Sequence, residues 1–231
     1  MPLPVLEAPT YNLVVPSTKK KLKYRPFLVK EEKILMIAQE SENETQILQA
    51  VKEIIKSCTF SKIDVNNIPM YDIEYIFLKI RAKSVGEVVS FQLKCEECGE
   101  YNKVEVNLED VQVQFPENEI DPNIQLNDSI GVTLKPLRMS DIKKGDDQIT
   151  DAIIATIDTI YDNDNVYSAS SCSKKELETF VDSLSHQHLE KIQEFILNQP
   201  TLKHTIEYTC EKCGHKNSYE LNGLQSFFIM N

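Results

Sequence analysis

The sequence predicts an α+β fold of mixed helices and short antiparallel hairpins, and three observations carry that prediction. Apolar residues recur at helical spacing, as in Ile47, Leu48, Val51, Ile54, Ile55 and Cys58. Short β-type runs lie between such blocks, bounded by turn residues. Two C-x-x-C-G turns, Cys95 to Gly99 and Cys210 to Gly214, each sit between two β-type runs.

The elements follow in order. Residues 1 to 9 hold three prolines and read as an extended arm. The runs Tyr11 to Val15 and Tyr24 to Val29 flank a lysine cluster and read as a hairpin. Helices are expected over Glu31 to Gln39, around Ile47 to Cys58, and from Pro69 towards Ala82, with Gly86 ending that unit. Cys58 falls on a core face. Val88 to Leu93 and Lys103 to Leu108 make a hairpin whose turn carries Cys95 and Cys98. A poorly patterned acidic stretch follows, with one β-type run at Ile130 to Leu134. Helical signals return at Asp147 to Tyr161, after Ser173 with Glu176 completing a capping box, and at Leu189 to Ile196, ended by Pro200. Thr205 to Thr209 then leads into Cys210 and Cys213, and Tyr219 to Leu221 leads out.

Four segments are expected: 1–22, the arm and start of the hairpin; 23–110, an α/β region with the first knuckle; 111–200, an acidic, mainly helical insert; and 201–231, the second knuckle. A chain of 231 residues suffices for one large domain or two small ones, and 41% hydrophobic residues supply a core. No apolar stretch approaches the ~18 residues of a membrane span. With six glycines there is neither a dinucleotide fingerprint nor a P-loop. Met1-Pro2-Leu3-Pro4 has no secretory pattern, so a reducing cytoplasm is expected, where paired cysteines read as metal ligands before disulfides.

The two cysteine hairpins repeat one another. Residues 95–109 and 210–224 share seven of fifteen positions: both cysteines, the Glu after the first, the Gly after the second, and Asn102/Asn217, Glu105/Glu220 and Asn107/Asn222. Two such turns can offer four thiolates to one tetrahedral ion, the geometry of a zinc ribbon, so one structural zinc on Cys95, Cys98, Cys210 and Cys213 is expected. Four thiolates leave no open position for catalysis. Two other readings stay open: a redox pair, although no helix follows either turn, and four reduced cysteines without metal. His215 aligns with Glu100 and is expected beside the ion or in solvent rather than on the ion. Cys172 reads as a loop residue. His186 and His188 lie two apart and point to different helix faces, so no catalytic set emerges and no small-molecule substrate is expected. The net charge is −11. Residues 19–33 are locally basic and 100–170 strongly acidic, a polarity that favours protein partners over nucleic acid. A zinc-ribbon nucleic-acid regulator is the alternative, carried by the knuckles and Lys19 to Lys21.

Lys23-Tyr24-Arg25-Pro26-Phe27-Leu28-Val29-Lys30-Glu31-Glu32-Lys33, Tyr71 to Tyr75 and Leu78 to Glu87 resemble the baseplate hub family of T-even-like contractile-tailed bacteriophages, over about half the chain. The resemblance implies a late tail protein that is a hub component or an assembly chaperone, without catalytic residues. It implies other baseplate hub or tail proteins as partners, and a place in the host cytoplasm during assembly or in the virion tail baseplate. Within the resembling blocks, Arg25, Lys30, Glu31, Arg81 and Lys83 are the candidate contact residues.

Overall fold

A computed structural model describes residues 6–41, 43–118, 120–141 and 148–223. The start of the arm, Asp147 and the apolar run Phe227 to Met230 lie outside the described residues. The chain forms two compact units, one drawn from residues up to 65, 71–114 and 201 onwards, the other from 66–70 and 115–200.

The first unit opens with the hairpin β1 (Tyr11–Val14) and β2 (Lys21–Tyr24), paired from Tyr11↔Tyr24 to Val14↔Lys21. The second strand therefore lies earlier than expected and contains Lys21 and Lys23. Alternation explains it: Leu22 and Tyr24 point inward while both lysines face water. Helices α1 (Val29–Glu40), α2 (Glu44–Cys58) and α3 (Met70–Val85) follow. Asn43 caps α2, its side-chain oxygen accepting from the Thr45 and Gln46 amides. Helix α3 is buried from Tyr71 to Ile73 and from Ile76 to Ala82, with Asp72, Lys79 and Arg81 among the buried residues, as befits a central helix.

Two hairpins meet α3. β3 (Val88–Lys94) pairs with β4 (Tyr101–Asn107), and β10 (Thr201–Thr209) pairs with β11 (Lys216–Asn222). A short strand β5 (Gln112–Gln114) adds to the free edge of β10, and this stretch of the first unit ends at Gln114. Leu93, Val104 and Val106 from one hairpin and Leu202, Ile206 and Leu221 from the other share one core with Leu78 and Ala82 of α3.

The second unit holds an antiparallel sheet in the order β6 (Asn123–Gln125), β7 (Gly131–Leu134), β8 (Ile157–Tyr161), β9 (Val166–Ser168). Only β7 was patterned clearly enough to be expected. The helix expected over 147–161 is divided: α4 (Gln148–Thr156) stops where Ile157, Thr159, Ile160 and Tyr161 form β8. Those β-branched and aromatic residues pair better across the sheet than they pack on a helix. Ser173 and Glu176 form the expected capping box at the start of α5 (Lys174–Asp182), and α6 (His186–Leu197) precedes Pro200. Ile124, Val132, Leu134, Ile153, Ile157, Val181, Ile192 and Phe195 make this unit's own core.

Arg25 and Glu31, expected at a partner surface, instead close the first unit internally. The Glu31 side chain is 3% exposed; its Oε1 accepts from Arg25 Nη2 and Ser57 Oγ, both at 2.8 Å, and its Oε2 from the Leu28 amide at 2.8 Å. Arg25 Nη1 also donates to the Pro26 carbonyl at 2.8 Å, and the Arg25 amide to the Cys58 carbonyl at 3.0 Å. The exit of the hairpin, the first turn of α1 and the end of α2 are thus tied by one buried pair. Burial alone would raise the Glu31 pKa, but the Arg25 guanidinium, with the Leu28 amide and the Ser57 hydroxyl, holds it down from 4.5 to about 2.

A carboxylate depressed by folding contributes stability above its unfolded pKa and loses it as pH falls through the folded one. Wild type is therefore expected to exceed Glu31→Gln in denaturant stability by about 3 kcal/mol at neutral pH. That gap should shrink between pH 4.5 and about 2. A gap constant through that window would show that the charge of Glu31 contributes nothing. Arg25→Ala, which strands the buried carboxylate, is expected to cost about 3–5 kcal/mol at neutral pH in the same denaturant titration.

Candidate metal centre

The first knuckle is the turn between β3 and β4, the second the turn between β10 and β11. The two hairpins hold the same register relative to their cysteines, the last pairs before the turns being Lys94↔Tyr101 and Thr209↔Lys216. Inside each turn the backbone repeats as well. Cys95 N–H donates to the Glu100 carbonyl and Cys210 N–H to the His215 carbonyl, both at 2.8 Å. Gly99 N–H donates to Cys95 O at 3.0 Å and Gly214 N–H to Cys210 O at 2.9 Å. The glycines take φ of 74° and 75°, the left-handed region that a side chain would oppose, and this closes each turn.

The four sulfurs converge, with every Sγ within 4.8 Å of the others. Cys95 Sγ lies 3.7 Å from Cys213 Sγ, and Cys98 Sγ lies 3.6 Å from Cys210 Sγ, so each of these pairs spans the two knuckles. Bonds of 2.3 Å to a tetrahedral ion put sulfurs about 3.8 Å apart, and these separations fit it. Cys95 and Cys210 are buried; Cys98 and Cys213 face solvent.

Electrostatics prepare the first cysteine of each turn. The Cys98 amide, then the Glu97 amide and the Asn217 side chain, lower the Cys95 pKa against the cost of burial. The Cys213 amide, followed by that of Lys212, does the same for Cys210, which falls from 9.0 to about 6. Cys213 also receives the His215 amide, yet the three sulfurs around it push its pKa up to about 12. Four thiols so close cannot all ionise in one another's field unless a cation sits among them. Among the described residues this is the one Cys, His, Asp or Glu group close enough to hold a metal ion.

Two residues whose repetition was visible in the sequence, but whose role was not, lock the knuckles together. Asn102 Oδ1 accepts from the Glu211 amide of the opposite turn, and Asn217 Oδ1 accepts from the Glu96 amide, both at 3.0 Å. Each asparagine also donates from Nδ2 to a carbonyl of its own turn, Glu100 for Asn102 and His215 for Asn217, both at 3.1 Å. Asn102 Nδ2 further points at Cys210 Sγ, 3.7 Å away. Both asparagines are buried. The Tyr208 hydroxyl adds a bond to the Lys94 carbonyl at 3.0 Å, and Lys212 pairs with Glu100 at 2.6 Å. The His215 carbonyl serves as an acceptor for the knuckle backbone.

The other expected site residues do not gather here. Lys30 keeps a 70% exposed side chain, 3.5 Å from Glu31. Arg81 is buried on α3. Lys83 pairs with Glu87 and, at 3.0 Å, with Glu109, and lies over the Tyr11 ring. Lys79 reaches Glu109 as well, which ties the end of β4 to α3. Cys58 is buried in the first unit, and Cys172 ends a short 3₁₀ turn in the second.

No helix among the described residues is long and apolar enough to cross a membrane. The profile of the family described as T4 bacteriophage base plate protein matches residues 8–229. The baseplate hub assembly protein gp26 of Enterobacteria phage T4 is 28% identical over 219 residues, which cover 94% of this chain and 97% of that protein. No solved structure matches the chain. The match runs through the hairpins, both knuckles and the intervening unit alike, and the chain belongs to the T4 bacteriophage base plate protein family.

Proposed function

We propose that this protein acts in building the central hub of a phage baseplate, through contacts with other hub or tail proteins, and that one structural zinc ion holds its two knuckles together. The observation that carries the hub reading is the near full-length likeness to a baseplate hub assembly protein. The convergence of four cysteine sulfurs supports the metal. Four soft thiolate donors suit the borderline-soft Zn²⁺ ion, and a filled tetrahedral shell suits a structural rather than a catalytic role. The ion would join segments 112 residues apart, Cys98 and Cys210, and would fix the base on which the β3–β4 and β10–β11 hairpins sit. The protein acts in the host cytoplasm while tails are assembled, and catalysis has no part in this role.

An amber mutation in this gene is expected to yield infected cells that lack complete hubs; normal baseplates would refute the hub reading. Quantitative mass spectrometry of purified virions against lysate then separates two modes. A fixed copy number in particles identifies a subunit, and abundance in lysate with absence from particles identifies an assembly chaperone.

For the metal, Cys210→Ser is expected to lower both zinc content and melting temperature, since loss of a structural zinc removes binding energy that is also folding energy. Unchanged zinc and an unchanged melt would refute the assignment. Asn217→Ala keeps all four sulfurs but frees the Glu96 amide, and is expected to weaken zinc retention roughly 10- to 100-fold in competition with a chelating dye. Retention equal to wild type would show that the asparagine does not support the ion.

A further inference from the structure

Helix α1 is apolar on two sides. One side buries Glu31, Leu35 and Ala38 in the first unit. The run Ile34-Leu35-Met36-Ile37-Ala38 carries apolar side chains round the helix, and the opposite side leaves Val29 65%, Met36 54% and Ile37 67% exposed. Exposed apolar side chains clustered on one helix face mark an interaction surface. The exposed side also carries Lys30 and Lys33 in its first half and Glu40 at its end. At 100° per residue, Val29, Lys30, Lys33, Met36, Ile37 and Glu40 form one stripe.

That stripe is complementary to itself in one direction only. Laid antiparallel about a two-fold axis near Leu35, Lys30 of one copy faces Glu40 of the other, and the stem of Lys33 covers Ile37 of the other. Met36 packs at the centre. Laid parallel, Lys30, Lys33 and Glu40 would each meet their own like charge. We propose that this face of α1 is a self-association surface, pairing antiparallel with the same face of a second copy of this chain. A twelve-residue helix is about 18 Å long, so one helix pair gives a small interface and a weak dimer, roughly micromolar to tens of micromolar. The inference is independent of the hub reading.

The test is sedimentation velocity of the full chain from about 1 to 200 µM, with a thermal melt of each variant as the folding control. Wild type is expected to pass from monomer to dimer over this range. Ile37→Glu should abolish the dimer without lowering the melt, because the side chain is exposed. Lys30→Glu or Glu40→Lys alone should weaken it at least ten-fold, and the double variant should restore it, which a merely damaged helix would not do. Wild type monomeric throughout would overturn the proposal, as would a dimer indifferent to Ile37→Glu. So would a chain truncated after Gly223 that dimerises more tightly than wild type, since its own C-terminal residues would then be the natural cover of α1. The hub reading is decided separately, by particle assembly in the amber mutant.

Discussion

The structure depends on bringing two turns, 112 residues apart in sequence between Cys98 and Cys210, to one point. Chain entropy opposes this: a crosslink closing a loop of about 100 residues removes about 4–5 kcal/mol of freedom from the unfolded chain, and an uncrosslinked fold must supply that from contacts. The protein meets the cost at three levels. Leu93, Val104, Leu202 and Ile206 share a core with α3; Asn102 and Asn217 exchange hydrogen bonds across the turns; and four sulfurs converge where one ion can bind them all. The intervening segment belongs to a unit whose described residues have their own sheet and core.

The pairing has the form of an internal duplication. Equal register, equal turn geometry and equal glycine conformation in the two hairpins produce a local two-fold relation, and reciprocal asparagine bonds follow from it. Each asparagine spends its amide group on its own turn and its carbonyl oxygen on the other. A buried amide satisfied in this way is specific, since an aspartate could not donate and an alanine would strand a backbone N–H.

Much of this was legible in the sequence, because it rests on local periodicity and on spacing. The three N-terminal helices, the capped α5 and both cysteine hairpins follow from apolar spacing, caps and turn residues. The cysteine cluster followed from the repeat. What escaped was tertiary in origin. Strands of three residues such as β5, β6 and β9 carry too few positions to alternate visibly, and the boundary at Ile157 is set by pairing with β7 rather than by any breaker. Arg25 and Glu31 looked like surface charge because a buried ion pair has no signature in one sequence; only the fold places Ser57 and the Leu28 amide around the carboxylate. The asparagines were visible as repeated letters, but their bonds reach across to the other repeat.

A small α+β fold gains rigidity from a crosslink more readily than from a larger core. The proposed crosslink is one zinc ion bound by the four sulfurs. X-ray absorption at the zinc edge of the purified full-length chain tests it most directly. The expected result is one zinc per chain with four sulfur neighbours at about 2.3 Å and no nitrogen or oxygen in the shell. Substoichiometric zinc, or a shell containing nitrogen or oxygen, would contradict it.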